Sequence, residues 1–205
     1  MHRPLVILLL AFALAVNAVS QSGRKGRTPT VTESAPVQPP LNKEPEPEER
    51  RSTARPELRS LTENLREHKI KALDNSSFRL ADFHDKVVVI NLWASWCGPC
   101  RREVPEYEKV RKAYLDRGVE FIGLTTEDPR TSAERVKKFL RDISFGFRLG
   151  WADHELASTL MNGRNAIPQT LVIDADGRIV SHWTGYTPGE GGNRLKQTIE
   201  RALHG

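Results

Sequence analysis

Two cysteines three residues apart, Cys97 and Cys100, are the side chains of this 205-residue chain best suited to chemistry. They are the only cysteines in the sequence, so an internal disulfide would close a very short ring. Closing a short ring removes little entropy from the unfolded chain, so such a bond would add little stability. Joined by Gly98 and Pro99, the two thiols can instead form and break a disulfide without moving the backbone far. The spacing therefore predicts a redox-active Cys97–Cys100 pair.

The segments around the pair predict the elements that hold it. Residues 87–93 read Val-Val-Val-Ile-Asn-Leu-Trp, a nearly continuous apolar run that is typical of a central strand buried on both faces. Residues 97–117 have apolar side chains at helical spacing and stop at Gly118, a common helix end. Pro105 interrupts this helix, and we expect a kink there. The cysteine pair should therefore lie between the end of a buried strand and the start of a helix.

The remaining C-terminal sequence alternates strand and helix patterns, which predicts an α/β domain over residues 68–205. The predicted strands are 119–125, 144–149, 170–174 and 178–184, and the predicted helices are 132–143, 153–161 and 195–203. Asp176-Gly177 predicts a tight hairpin turn between the last two strands. The glycine-rich run at 189–192 lacks the strand and lysine of a phosphate-binding loop, so it is interpreted as an ordinary loop.

The first 67 residues have a different composition. A basic start, an apolar run and small residues up to position 20 predict a signal peptide at 1–20 or, if it is not cleaved, an N-terminal anchor formed by residues 5–19. Residues 21–67 are rich in Pro, Ser, Thr, Arg and Glu and predict a disordered linker, and residues 55–71, across its C-terminal boundary, could form a short helix. The expected location is extracytoplasmic, either periplasmic or secreted.

The charge pattern excludes some functions. The formal net charge is +5, but lysines and arginines are dispersed among acids along the chain, which indicates a solvated surface and no nucleic-acid partner. Cys-x-x-Cys is half of a tetrahedral zinc site, but no two histidines stand at the spacing of a second ligand pair. We therefore expect no metal site.

The run 91–105 around the cysteines, followed by Ile167-Pro168-Gln169-Thr170, resembles the thioredoxin superfamily. More narrowly, it is similar to the extracytoplasmic, membrane-tethered thiol-disulfide oxidoreductases of the TlpA and ResA type. The resemblance covers residues 70–205 and implies a thioredoxin-like fold, with a central mixed β-sheet flanked by helices. It also implies that Pro168 is the superfamily's cis-proline beside the cysteine pair, and that Ile167 pairs its backbone with the substrate.

The resemblance also assigns chemical roles to the cysteines and one acid. Cys97, at a helix N-terminus, meets free amide groups and the positive end of the helix dipole, so it is the expected nucleophile. Cys100 is expected to resolve the mixed disulfide. Asn91 stands where cytosolic thioredoxins have a buried aspartate, and its amide cannot accept the proton of Cys100. Glu103, three residues after Cys100, is the candidate acid/base; its alternative role is to complement the helix dipole.

The expected function follows from these assignments. Trp96, Gly98 and Pro99 would contact the substrate together with Ile167 and Pro168, although Trp96 could equally be a packing residue. In families of this type Pro99 favours a reducing pair, so we expect reduction of oxidised cysteines in client proteins, without a cofactor. An upstream dithiol donor, which could be membrane-embedded, would supply electrons. The alternatives are a tethered binding or chaperone module without redox turnover, and a disulfide oxidant or isomerase.

Overall fold

A computed structural model describes residues 60–205, so the predicted signal or anchor and the linker up to residue 59 lie outside the described residues. The helices and strands of the described part, in chain order, are α1 (Glu63–Glu67), β1 (Ile70–Ala72), β2 (Ser77–Phe78), β3 (Val87–Trp93), α2 (Gly98–Ala113), β4 (Val119–Thr125), α3 (Pro129–Asp142), β5 (Arg148–Trp151), α4 (His154–Leu160), β6 (Gln169–Ile173), β7 (Ile179–Thr184) and α5 (Gly191–His204). A short 3-10 helix spans Leu80–Phe83.

The strands form one mixed sheet in the order β2-β1-β5-β4-β3-β6-β7. β3 pairs parallel to β4 and β4 parallel to β5, whereas the other neighbouring strands are antiparallel. All seven residues of β3 are buried. Because strand side chains alternate between faces, Val88 and Ile90 pack into one core cluster while Val87 and Val89 pack into another. The predicted central strand and the central mixed sheet flanked by helices are both confirmed.

Helix α2 carries the cysteine pair and is shorter than predicted. Cys97 is its N-cap, Pro99 occupies its first turn, and it ends at Ala113 rather than at residue 117. The backbone N–H of Tyr114 donates to the carbonyl of Arg111, so the chain tightens into turns before Gly118 adopts its positive φ of 68°. Pro105 lies inside the helix.

Two predicted boundaries are wrong for identifiable reasons. The strand predicted at 144–149 is found at Arg148–Trp151, because its register with β4 begins only where Ile122 meets Arg148. Helix α3 begins at Pro129 rather than at residue 132, because Asp128 caps it by accepting the N–H of Arg130 and proline suits the first helical position.

The last helix is also longer than predicted. It begins at Gly191, four residues before the predicted start at Leu195, and runs to His204. The hairpin turn at Asp176-Gly177 is confirmed, with Gly177 at a φ of +85° and its N–H donating to the carbonyl of Asp174.

The segment before β1 belongs to the folded part. Leu65 of α1 is buried in the main core cluster, and the N–H of Leu61 donates to the carbonyl of Gly177, 3.1 Å away. The linker predicted to extend to residue 67 is therefore corrected: residues 60–67 pack on the domain because Leu61 and Leu65 supply apolar contacts. No helix within residues 60–205 is long and apolar enough to cross a membrane.

Candidate active site

The two cysteines form a disulfide bond at the N-terminus of α2. Cys97 Sγ accepts a hydrogen bond from the backbone N–H of Cys100, 3.1 Å away. The same amide and the positive end of the helix dipole would favour a thiolate at Cys97 once the bond is reduced. Both cysteines are buried, but Cys97 is the N-cap of α2 and Cys100 lies inside its first turn. The two sulfur atoms therefore have different local environments.

An exposed edge surrounds the pair. Trp96 is 68% exposed, and Gly98 and Pro99 are exposed as well. The alternative in which Trp96 is an ordinary packing residue does not fit this exposure, whereas Trp93, on β3, is fully buried.

The loop before β6 carries two further residues of the predicted site. The peptide bond between Ile167 and Pro168 is cis, as the resemblance implied. Ile167 packs against the cluster that contains Cys97 and Cys100, and Pro168 is buried.

Glu103 lies on the buried face of α2, one turn beyond Cys100, and only 1% of it is exposed. Its Oε2 accepts a hydrogen bond from Asn91 Nδ2 on β3, at 2.8 Å. Burial raises the pKa of the Glu103 carboxyl to about 7, against the opposing effect of the Asn91 hydrogen bond. A carboxyl with this pKa can both take and release a proton near neutral pH.

Two hydroxyls extend the polar network behind the pair. Thr170 Oγ1 lies 3.3 Å from Asn91 Nδ2 and 3.2 Å from Tyr107 Oη. Burial raises the pKa of Tyr107, so its hydroxyl stays protonated. The sequence indicated Thr170 only as part of Ile167-Pro168-Gln169-Thr170 and did not single out Tyr107 as a site residue. The signal that could have found Tyr107 is its position four residues after Glu103, on the same helix face.

A cavity of about 310 Å³ gives Glu103 a route to solvent. It is lined by Glu103 and Tyr107 at its inner end and by residues 183–187, 190, 191 and 194 of β7, α5 and their connection. Glu106, on the next turn of α2, holds this connection by accepting hydrogen bonds from Tyr186 Oη and the N–H groups of Gly189 and Gly192. The buried carboxyl is therefore adjacent to space that water can occupy.

Glu127 is a second buried acid at the site, and sequence reasoning missed it. Its carboxylate accepts the backbone N–H of Ser95 at 2.6 Å and the Ser95 hydroxyl at 2.9 Å, and Arg135 lies 3.7 Å away. Ser95 stands two residues before Cys97, so Glu127 fixes the loop that carries the nucleophile. The available signal was an acid two residues after the end of β4, because the carboxyl ends of parallel strands meet at one edge of the sheet.

Comparison with known proteins agrees with this geometry. The Redoxin family matches residues 53–199. The chain is 29% identical over 133 residues to the thiol-disulfide oxidoreductase ResA of Geobacillus kaustophilus (strain HTA426), covering 64% of this chain and 69% of that protein. It is 28% identical over 128 residues to the thiol-disulfide oxidoreductase ResA of Geobacillus thermodenitrificans (strain NG80-2), covering 62% and 70%.

A solved structure shows the same architecture. The thiol:disulfide interchange protein of the thioredoxin family from Chlorobium tepidum TLS matches with a TM-score of 0.58 and 25% identity, over 66% of this chain and 92% of that one. Together with the Cys97–Cys100 disulfide, these similarities establish the class of chemistry. The chain belongs to the redoxin family, as a TlpA/ResA-like thiol-disulfide oxidoreductase of the thioredoxin superfamily.

Proposed function

We propose that this protein reduces disulfides in client proteins outside the cytoplasm, using Cys97 as the nucleophile and Cys100 as the resolving thiol. The asymmetry of the pair carries the proposal. Cys97 caps the helix, accepts an amide hydrogen bond and adjoins exposed residues, whereas Cys100 lies inside the first turn, three residues before Glu103.

The reaction proceeds by two exchanges. The Cys97 thiolate attacks one sulfur of a client disulfide, so a mixed disulfide forms and the other client sulfur leaves as a thiolate. Cys100 then loses its proton and attacks Cys97 Sγ, which forms the Cys97–Cys100 bond and releases the second client sulfur. The client gains two electrons, its two thiolates take up protons from the solvent, which receives the Cys100 proton, and the pair is oxidised. An upstream dithiol donor restores the reduced pair.

Glu103 is proposed to accept the proton of Cys100. Its position three residues along the same helix and its pKa of about 7 support this role. In the mixed disulfide the client covers the exposed edge around Trp96, so a proton would leave more easily from the other side. The cavity behind Glu103 offers water such a path.

Substrate contact is proposed for Trp96, Gly98, Pro99, Ile167 and Pro168. Their support is proximity: the first three are exposed beside Cys97, and Ile167 packs against the cysteine cluster. The backbone of Ile167, at the cis bond, would pair with the client chain. The predicted signal or anchor at 1–20 supports an extracytoplasmic location.

The equilibrium reduction potential of the pair tests the direction of transfer. Measured against glutathione, a reductase should have a potential below about −200 mV, whereas a strong oxidant lies near about −120 mV. A value near the second figure would favour the oxidant alternative. Failure of the reduced protein to exchange with any disulfide would favour the binding or chaperone module.

A further inference from the structure

Two cavities that share lining residues form one groove on the domain. One cavity of about 470 Å³ follows β1, β5 and the starts of α3 and α4, and another of about 350 Å³ follows α4 and the loop before β6. The two share Thr126, His154 and Ala157 as lining residues. We refer to their union, from Lys69 to Asn165, as the side groove.

The side groove meets both loops that flank the disulfide. Glu127 lines it and also accepts the backbone N–H of Ser95, two residues before Cys97. At its other end lies Asn165, two residues before Ile167. A polypeptide whose cysteine is bonded to Cys97 would therefore have neighbouring residues within reach of the groove.

The floor of the side groove is apolar. Trp151 is half-buried, Ala152 and Met161 are buried, and the shared residue Ala157 is half-buried between them. Such a floor can cover the apolar parts of a bound chain, while the groove's charged residues decide which chains enter.

Among the arginines and lysines of the side groove, Arg130 pairs with Asp128, whereas the other three are exposed. Ile70 and Ala72 of β1 point into the core, so Lys69 and Lys71 alternate outward to solvent. Neither lysine, nor Arg164 at the other end, has an ion-pair partner within residues 60–205.

The acids of the side groove are already engaged. Asp128 pairs with Arg130 and caps α3, and Asp153 bonds His68 at 2.8 Å and caps α4. Glu127 is engaged by Ser95. The charged side chains of the groove that remain available to a ligand are therefore Lys69, Lys71 and Arg164.

We infer that the side groove docks an acidic segment of the client polypeptide, next to the cysteine that Cys97 attacks. This inference rests on the proposed function, and it adds a class of substrate. Lys69, Lys71 and Arg164 would bind client carboxylates, and the apolar floor would contact the chain between them. Clients with aspartate or glutamate beside the reactive cysteine would be attacked faster than neutral or basic ones.

Three matched peptides provide the kinetic test. Each carries one cysteine in a disulfide with a small coloured thiol, flanked by Asp, by Asn or by Lys residues placed on either side. Attack by Cys97 on the peptide sulfur releases the coloured thiol. The Asp peptide should react about 5-fold faster than the Asn peptide at low salt, and the difference should shrink as ionic strength rises. Equal rates for all three peptides would overturn the inference.

Charge-reversal variants test whether the side groove causes the preference for the Asp peptide. K71E and R164E should each lower the rate for the Asp peptide by about 2- to 5-fold and leave a small neutral disulfide unaffected. The control is K196E, the same change at an exposed lysine of α5, away from the groove. An equal loss of rate with the Asp peptide in K196E would show that the preference depends on the net charge of the protein and not on the groove.

A binding measurement separates docking from redox chemistry. The oxidised protein should bind a fluorescent, cysteine-free Asp peptide more tightly than its Asn counterpart, measured by anisotropy, and K71E should remove the difference. Such binding without any disulfide reduction would contradict the proposed function and leave the docking inference standing. If reduction does not depend on client charge and binding shows no preference for the Asp peptide, the docking inference is contradicted and the proposed function stands.

Discussion

Glu103 is the residue on which the proposed proton transfer depends. If its carboxylate is the base for Cys100, resolution of a mixed disulfide should accelerate as pH rises through about 7, because the carboxylate form then becomes dominant. Glu103→Gln should slow resolution by about 100-fold and remove this dependence. The measurement is rapid-mixing release of a small thiol from a mixed disulfide preformed at Cys97.

The matched control for this variant is Glu190→Gln, which changes an acid that lines the same cavity near the surface. Its resolution rate should stay within about 2-fold of the wild type, because an exposed charge there interacts weakly with the buried site. Equal rates and pH profiles in wild type and Glu103→Gln would show that Glu103 is not the base for Cys100 and only complements the helix dipole.

The same carboxyl should also make stability depend on pH. Its pKa in the folded state, about 7, exceeds the ordinary value of 4.5, so between these values the folded state binds the proton that the unfolded state has released. The free energy of unfolding should therefore fall as pH rises from 5 to 8. Glu103→Gln lacks this loss and should become more stable than the wild type by up to about 3 kcal/mol at pH 8.

Urea unfolding of the two oxidised proteins at several pH values measures this difference. The other titrating groups are shared, so subtraction of the two pH profiles isolates Glu103. Parallel profiles would mean that the carboxyl is ionised in the folded protein at neutral pH and is a poor base for Cys100.

Glu127 is expected to hold the loop before Cys97 in place. Glu127→Ala leaves the Ser95 N–H and hydroxyl without their buried acceptor, which should lower the free energy of unfolding by about 2–4 kcal/mol. Hydrogen exchange at the Ser95 amide should accelerate. The control is Glu134→Ala on α3, an exposed acid paired with Lys137, for which a change within about 0.5 kcal/mol is expected. Equal effects of the two variants would show that Glu127 does not position the loop.

At the scale of elements, local patterns predicted some features well. The apolar run of β3 identified a strand buried on both faces, and Asp176-Gly177 identified the hairpin. Cys97 and Cys100 were recognisable because two cysteines at this spacing suit few other purposes. These features depend on residues adjacent in sequence, which is why the sequence displays them directly.

Features that depend on distant partners could not be predicted in the same way. β5 is set by its register with β4, and the contact of Glu127 with Ser95 joins residues 32 positions apart. The N-terminal boundary was misplaced for the same reason, because the apolar contacts of Leu65 lie on elements far along the chain. Composition in the preceding linker indicated disorder, and tertiary packing overrode it at residues 60–67.

The corrected boundary leads to a prediction for α1. Leu65→Ala should lower the free energy of unfolding by about 2–3 kcal/mol, because it removes a buried side chain and leaves a gap in the core. Asn64→Ala, at the exposed neighbouring position, should change it by less than about 0.5 kcal/mol. Chemical denaturation measures both. Equal effects of the two variants would show that α1 does not unfold together with the rest of the domain. The domain would then begin at residue 68, as the sequence predicted.

At the scale of the whole molecule, two different sides of the domain would take part in the proposed reaction. The edge with Trp96, the cis-proline loop and the side groove would face the client in the proposed reaction, and the cavity behind Glu103 opens between β7 and α5. Electrons would cross the first side and protons the second. The predicted signal or anchor and the linker would keep the domain outside the cytoplasm, where client disulfides form.

Trapping of the mixed disulfide tests the division of work between the two cysteines most directly. The reduced Cys100→Ser protein, mixed with a disulfide-bonded substrate protein and then alkylated, should accumulate an adduct through Cys97, identified by mass spectrometry of the peptides. Cys97→Ser should form none, because Cys100 lies inside the helix and lacks the capping position that favours a thiolate at Cys97. An adduct through Cys100 in Cys97→Ser, with none in Cys100→Ser, would reverse the assigned roles and contradict the proposed mechanism.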